Sequence, residues 1–152
     1  MTTSGGRRPL VYIASGLERA AEVAALREAL DEHGIGLSYD WTIHGSVQNE
    51  GSARIREVAF LELDGVDRAD LVIVWLPGGR GTHAELGIAI GLNACRRAYR
   101  RDVMIRPVAP ILVVGPREGA DGRECAFYYA PDVHRIDGPY SGAVPYGADF
   151  VR

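Results

Sequence analysis

The sequence has little of what marks several classes of protein. Its two cysteines, Cys95 and Cys125, form no CxxC motif and no Cys/His ligand spacing, and a domain of this length does not need a disulfide. The four histidines also lack the spacing of metal ligands. These absences predict a protein of a reducing cytoplasm that uses no metal and no cofactor.

A strong charge of one sign is missing as well. Seventeen basic and twenty acidic residues leave a formal net charge of −3, which offers no electrostatic footprint for a nucleic acid or an anionic membrane. Residues 1–8 lead into only one short apolar run, without the hydrophobic region of a signal peptide, and no stretch approaches membrane-spanning length. We therefore expect a soluble protein whose partner is a small molecule.

What is present is an ordinary globular composition, with 47% hydrophobic and 24% charged residues. A chain of 152 residues without internal repeats suits one domain. Its nineteen glycines exceed the average usage of about 7%, which is typical of tight turns and of backbone that approaches a ligand. We expect one domain over 1–152, with segments 1–8 and about 138–152 outside its regular elements.

Apolar runs alternate with amphipathic segments along the chain. Strands are predicted at 10–14, 36–41, 71–76, 109–114 and 133–136, and helices are predicted from after Ser15-Gly16 to near His33, at 53–68 and at 82–99. The alternation predicts a doubly wound, Rossmann- or flavodoxin-like α/β fold with five mostly parallel strands and helices on both faces. The ligand is expected at the carboxyl ends of the strands, covered by the polar, Gly-rich segment 42–52.

The sharpest motif is PGGRGTHAELG, residues 77–87, where a buried strand leads through a glycine turn into a helix. The free N–H groups and the dipole of such a helix start favour negative charge. The same residues satisfy a Thr-x-x-Glu capping box, in which Glu85 only closes the helix terminus. The motif is compatible with both interpretations.

A second carboxylate is selected by helical geometry. With Glu62 at zero and 100° per residue, Ile55, Val58 and Val66 fall within about 60° of it, whereas Asp64 falls about 200° away. Glu62 thus points with the apolar face, and Asp64 is expected in solvent. A carboxylate on an apolar face is either hydrogen-bonded for structural reasons or part of a site.

Three features together resemble the nucleoside 2-deoxyribosyltransferase superfamily. They are the strand–loop–helix opening with Tyr12 and Ser15-Gly16, the acidic residue three before Gly65, and the run GTHAELGIAIG. The superfamily includes nucleoside 5′-monophosphate N-glycosidases and cytidine-monophosphate hydrolases. The resemblance covers roughly residues 9–115, and it implies an enzyme that cleaves an N-glycosidic bond.

The resemblance also implies roles for individual residues. It makes Glu85 the nucleophile of a covalent glycosyl intermediate, expected to stay ionised because it lies at a helix N-terminus. Glu62, where the family has aspartate, would assist by contacting the base or sugar, and Tyr12 would lie beside the nucleophile. Water as the acceptor gives hydrolysis, and a second base gives transfer.

Substrate contacts are expected from the loops at the strand ends. Arg19 and Arg80, beside glycine N–H groups, favour a 5′-monophosphate over a free nucleoside, with solvated loop arginines as the alternative. Trp41 suits base stacking, although buried packing is the commoner use of tryptophan. The complete set expected to bind substrate is Ser15, Gly16, Arg19, Asp40, Trp41, Gly79, Arg80, Gly81, Thr82 and His83.

Two other functions compete with this interpretation. The pattern Pro-Gly-Gly-x-Gly-Thr-x-x-Glu also resembles the cytokinin-activating phosphoribohydrolases, but their additional Gly-rich phosphate loop is missing here. A non-catalytic nucleotide-sensing module would need no carboxylate aimed at the sugar. The superfamily resemblance further implies a homodimer or larger homo-oligomer, with Tyr140 and Tyr146 as candidates to complete a neighbour's site.

Overall fold

The computed structural model describes residues 7–101, 104–119 and 121–136, which form one five-stranded sheet flanked by helices. The strands are β1 (Leu10–Ala14), β2 (Gly36–Leu37), β3 (Leu71–Trp75), β4 (Ile111–Val114) and β5 (Val133–Ile136), and the helices are α1 (Ala20–Glu32), α2 (Ser52–Arg68) and α3 (Arg80–Ala98). All strands are parallel, in the order β2-β1-β3-β4-β5. The predicted α/β fold is confirmed. Within the described ranges, no helix combines the length and apolar character needed to cross a membrane.

Alternate strand residues feed two apolar layers, because successive side chains point to opposite faces of a sheet. Ile13 and Ile73 belong to the layer that also contains Leu26 of α1. Their neighbours Tyr12 and Val72 belong to the other layer, which contains residues of α2 and α3. Helices thus cover both faces, and this burial on two sides explains the unbroken apolar run of β3.

The second strand is shorter than predicted, with two residues instead of six. After Leu37 the chain turns out of the sheet, and the carboxylate of Asp40 accepts the N–H of Thr42 at 3.1 Å to open a 3₁₀ turn. Trp41 in this turn is buried, and its indole N–H donates to the carbonyl of Ile13 at 2.7 Å. A tertiary hydrogen bond therefore takes the place of the longer strand that was predicted at 36–41.

Glycine is required where α2 crosses β1. A Cβ added at Gly65 would lie 2.7 Å from Cβ of Tyr39 and 2.9 Å from Cε2 of Tyr12, closer than such contacts allow. The missing side chain lets the helix backbone rest directly on these two tyrosines. A different requirement holds at Gly34, whose φ of 74° ends α1 in the left-handed conformation, as predicted.

Candidate active site

A cavity of about 640 Å³ opens beside the carboxyl ends of β1 and β3. The chain leaves β1 for β2 on one side and returns to β3 on the other, so the strand order reverses here. Parallel α/β sheets bind their ligands at such switch points, and the volume suits a small molecule. The cavity is lined by residues 15–18, 44–48, 77–79 and 81–82, together with Trp41, Val58, Glu62 and Glu85.

Glu85 and Tyr12 form the centre of this site. Glu85 lies on the second turn of α3 and lines the cavity. Its Oε1 accepts a hydrogen bond of 2.5 Å from the hydroxyl of Tyr12. Tyr12 has no exposed surface and is not among the lining residues, so it holds Glu85 from within the core of the protein.

The capping-box interpretation of Glu85 is wrong. Helix α3 begins at Arg80, two residues earlier than predicted, and its N-cap is Gly79 without a side-chain hydrogen bond. Thr82 therefore lies inside the helix, buried, with its Cγ2 2.5 Å from where a Cβ of Gly78 would be. The carboxylate of Glu85 is available to the cavity because the helix end does not use it.

The protonation of Glu85 also differs from expectation. Burial raises the pKa of its carboxyl to about 8, while the hydrogen bond from Tyr12 lowers it and the charge of Glu62 raises it further. Desolvation therefore outweighs the helix N-terminus, and the expectation of an ionised Glu85 at neutral pH is wrong. Burial and the adjacent Glu85 raise the pKa of the Tyr12 phenol, which keeps it a hydrogen-bond donor.

Glu62 lies where the helical wheel predicted. It is half-buried on α2 beside the buried Val58 and Val66, whereas Asp64 is exposed and pairs with Arg68 at 2.6 Å. Among the described residues, no group donates a hydrogen bond to Glu62. Burial raises the pKa of its carboxyl, and His44 opposes this rise. Its oxygens are thus free to meet a ligand in the cavity.

The structure brings together part of the predicted substrate-binding set. Ser15 and Gly16 line the cavity from the loop after β1, and the hydroxyl of Ser15 lies 3.4 Å from the carbonyl of Trp75. The glycine turn after β3 contributes the opposite wall. The predicted residues that line the cavity are Ser15, Gly16, Trp41, Gly79, Gly81 and Thr82.

The two predicted arginines do not line the cavity. The guanidinium of Arg19 lies 5.1 Å from the ring centre of Trp75, and it is 3.4 Å from the carboxylate of Glu22. Arg80 is exposed at the start of α3. Both arginines are close to the site in sequence, but their side chains are placed elsewhere.

Asp40 and His83 are likewise not brought to the cavity. Asp40 pairs with Arg27 at 2.8 Å, in addition to its contact with Thr42. Both ring nitrogens of His83 are engaged at 2.8 Å, one by the carbonyl of Gly79 and the other by the hydroxyl of Tyr128. These four contacts give both residues structural partners.

One element of the site could not be predicted from the sequence. The predicted covering loop does line the cavity, and His44 anchors it: Nδ1 lies 2.8 Å from the carbonyl of Gly45, and Nε2 lies 2.8 Å from the hydroxyl of Tyr39. A carbonyl only accepts, so Nδ1 carries the hydrogen, and in the neutral ring Nε2 accepts from Tyr39. The Gly-rich composition signalled a loop, but not this partner.

Comparison with the models of known protein families gives no match to this chain, and comparison with curated proteins gives none either. Inference about function therefore depends on the chemistry of the cavity and on the motifs described above.

Proposed function

We propose that this protein breaks the N-glycosidic bond of a nucleoside or nucleoside 5′-monophosphate through a covalent glycosyl ester on Glu85. The observation that supports this most is the carboxylate of Glu85, held at 2.5 Å by the buried Tyr12. Glu85 shares the cavity with Glu62, whose carboxylate accepts no hydrogen bond from the described residues. Most glycoside hydrolases cleave the glycosidic bond with a pair of carboxylates that flank it.

The proposed reaction has two steps. An oxygen of ionised Glu85 bonds to the anomeric carbon while the carbon–nitrogen bond breaks, and the base leaves with the electron pair and takes up a proton. Water then adds to the same carbon, loses a proton, and releases the carboxylate of Glu85. An acceptor base in place of water would give transfer by the same intermediate.

Glu62 and Tyr12 assist in different ways. Glu62 contacts the base or sugar, and its charge raises the pKa of the Glu85 carboxyl. Tyr12 stabilises the ionised form of Glu85 by donating to it. Tyr12 is thus a positioning residue, because it does not line the cavity.

Release of free base tests the proposal. The protein is incubated with a panel of nucleosides and their 5′-monophosphates, and free base is separated by chromatography, with Glu85→Gln as the inactive control. Intact mass spectrometry of quenched wild-type reactions should show the added sugar on the protein. Ligand binding without base release from any compound would favour a non-catalytic sensing module instead.

A homodimer as the minimum assembly and a cytoplasmic location are also part of the proposal. The assembly follows from the superfamily resemblance, and Tyr140 and Tyr146, expected to reach a neighbour, lie outside the described residues. Cys95 and Cys125 are both free, in keeping with a reducing compartment. Light scattering at micromolar protein measures the assembly, and a monomer would contradict it.

A further inference from the structure

The cavity offers three carboxylates and no permanent positive charge. Glu18, Glu62 and Glu85 line it, and His44 is the basic side chain among its described lining residues. The chain contains no lysine, so an arginine would have to supply the charge that a phosphate needs. No arginine of the described residues lines the cavity. Among the described lining residues, a phosphate group would meet no arginine, and only the N–H groups at the start of α3 would favour its charge.

Glu18 contributes the carboxylate that the proposed reaction does not use. It belongs to the loop after β1 and folds back on that loop, so that a Cβ added at Gly16 would collide with both of its carboxylate oxygens. The absence of a side chain at Gly16 leaves room for the carboxylate in this position. No described group donates a hydrogen bond to Glu18, and its exposed side chain lines the cavity.

The position of Glu18 brings its carboxylate close to part of the cavity. Salt screens exposed charges over about 8–10 Å, and Glu18 is an exposed residue that lines the cavity. A phosphate bound beside Glu18 would lie within that distance and would be repelled by the carboxylate. A neutral hydroxyl, in contrast, can donate a hydrogen bond to a carboxylate.

We propose that Glu18 is a specificity-determining residue that excludes 5′-phosphates and selects nucleosides with a free 5′-hydroxyl. This inference depends on the proposed function, and within it replaces the expectation of a monophosphate substrate. Specificity of this kind comes from a group, here the Glu18 carboxylate, that repels the competing ligand, here a 5′-phosphate. The N–H groups at the start of α3 remain available to the sugar hydroxyls.

Kinetics on matched substrates test this role. The specificity constant kcat/KM is measured for 2′-deoxynucleosides of the four common bases and for their 5′-monophosphates, with wild type, Glu18→Gln and Glu32→Gln. Glu32 is an exposed carboxylate at the end of α1, outside the cavity and without an ion pair to the described residues, so its variant is the matched control. We expect wild type to prefer the nucleosides at least tenfold. Glu18→Gln should raise kcat/KM for the monophosphates at least tenfold, with that for nucleosides changed less than threefold. A wild-type preference for monophosphates, or an equal effect of Glu18→Gln on both forms, would overturn the inference.

Binding measurements on inactive variants show whether the role of Glu18 fails or the proposed function fails. Calorimetric titration of the same compounds into Glu85→Gln and into Glu18→Gln/Glu85→Gln measures affinity without turnover. If wild type releases no base at all, the proposed function fails, but the affinities still report the charge selection. Nucleosides should bind Glu85→Gln at least tenfold more tightly than monophosphates. In the double variant, the dissociation constants of the two forms should be closer to each other. Equal affinities, or no nucleoside binding, would overturn the role of Glu18.

Discussion

The hydroxyl of Tyr12 donates a hydrogen bond of 2.5 Å to Oε1 of Glu85, a residue 73 positions away in the sequence. This bond lowers the pKa of Glu85 against the effect of burial, and hydrogen bonds to charged groups contribute about 1.5–3 kcal/mol. In Tyr12→Phe we therefore expect the pKa of Glu85 to rise further and base release at pH 7 to fall about tenfold or more. The loss should be smaller at pH 9.5. An unchanged midpoint of the pH–rate profile would show that this bond does not govern Glu85.

Replacement of Glu85 by glutamine should abolish base release. Glutamine keeps the shape of the side chain and an acceptor for Tyr12, but it cannot form the glycosyl ester. We expect a loss of roughly a thousandfold or more in kcat, with an unchanged far-ultraviolet circular dichroism spectrum as the check on folding. Turnover near the wild-type rate would remove Glu85 as the nucleophile.

The rate should rise with pH to a midpoint near the Glu85 pKa of about 8, because only the ionised carboxylate attacks. The charge of Glu62 raises that pKa, so Glu62→Gln should move the midpoint to lower pH. Its maximum rate should also fall, since a group that contacts the base or sugar is lost. The pH dependence of kcat/KM measures both effects, and a midpoint that moves upward would contradict this arrangement of the two carboxylates.

The same burial makes wild-type stability depend on pH. The Glu85 carboxyl ionises near 4.5 in the unfolded chain and near 8 in the folded protein, so the folded form binds more protons between these values. Stability contributed by this group is therefore present below about pH 4.5 and is lost as pH rises toward 8. We expect the free energy of unfolding of Glu85→Gln to exceed that of wild type by about 1 kcal/mol or more at pH 8. Urea unfolding at pH 4.5 and 8 measures this, and a constant difference would contradict it.

Gly65→Ala tests the packing beneath the site. The added methyl would meet Tyr39 and Tyr12 at 2.7 and 2.9 Å, so α2 and Tyr12 must shift and the contact with Glu85 should weaken. Overpacking of this kind destabilises proteins by about 1–3 kcal/mol, and we expect turnover to fall with stability. Gly87→Ala is the control, because its Cβ meets nothing within 4 Å on α3, and it should stabilise by about 0.5–1 kcal/mol. Equal thermal unfolding of the two variants would contradict the packing argument.

The fold could be predicted well because its signals are local. The unbroken apolar run of β3 and the bounds of β5 were both predicted from short stretches of sequence. The second strand was predicted too long, because the indole of Trp41 bonds to the carbonyl of Ile13 across the structure. The sequence shows that residue 41 is a tryptophan, but it does not show which acceptor the indole N–H will bond to.

Some residues of the candidate site could be placed from the sequence, and others could not. Helical periodicity alone placed Glu62 on the apolar face of α2, and the motif of residues 77–87 placed Glu85 near the start of a helix after a central strand. Such placements follow from geometry within one element. The sequence could not show that Arg19 and Arg80 do not line the cavity, because the position of a long, flexible side chain depends on the groups that folding brings near it.

The sequence by itself determined the sheet, the helix faces and the two carboxylates, since each follows from spacing along the chain. The tertiary structure alone decided how those carboxylates behave. The pKa of the Glu85 carboxyl is raised because neighbouring segments bury it, and the carboxylate is held by Tyr12 of β1, which is 73 positions away in the sequence. Glu18 lies against Gly16 by a fold of the loop that no periodicity encodes. Desolvation and charge depend on distances in space, and those distances exist only once β1, α2 and α3 have packed together.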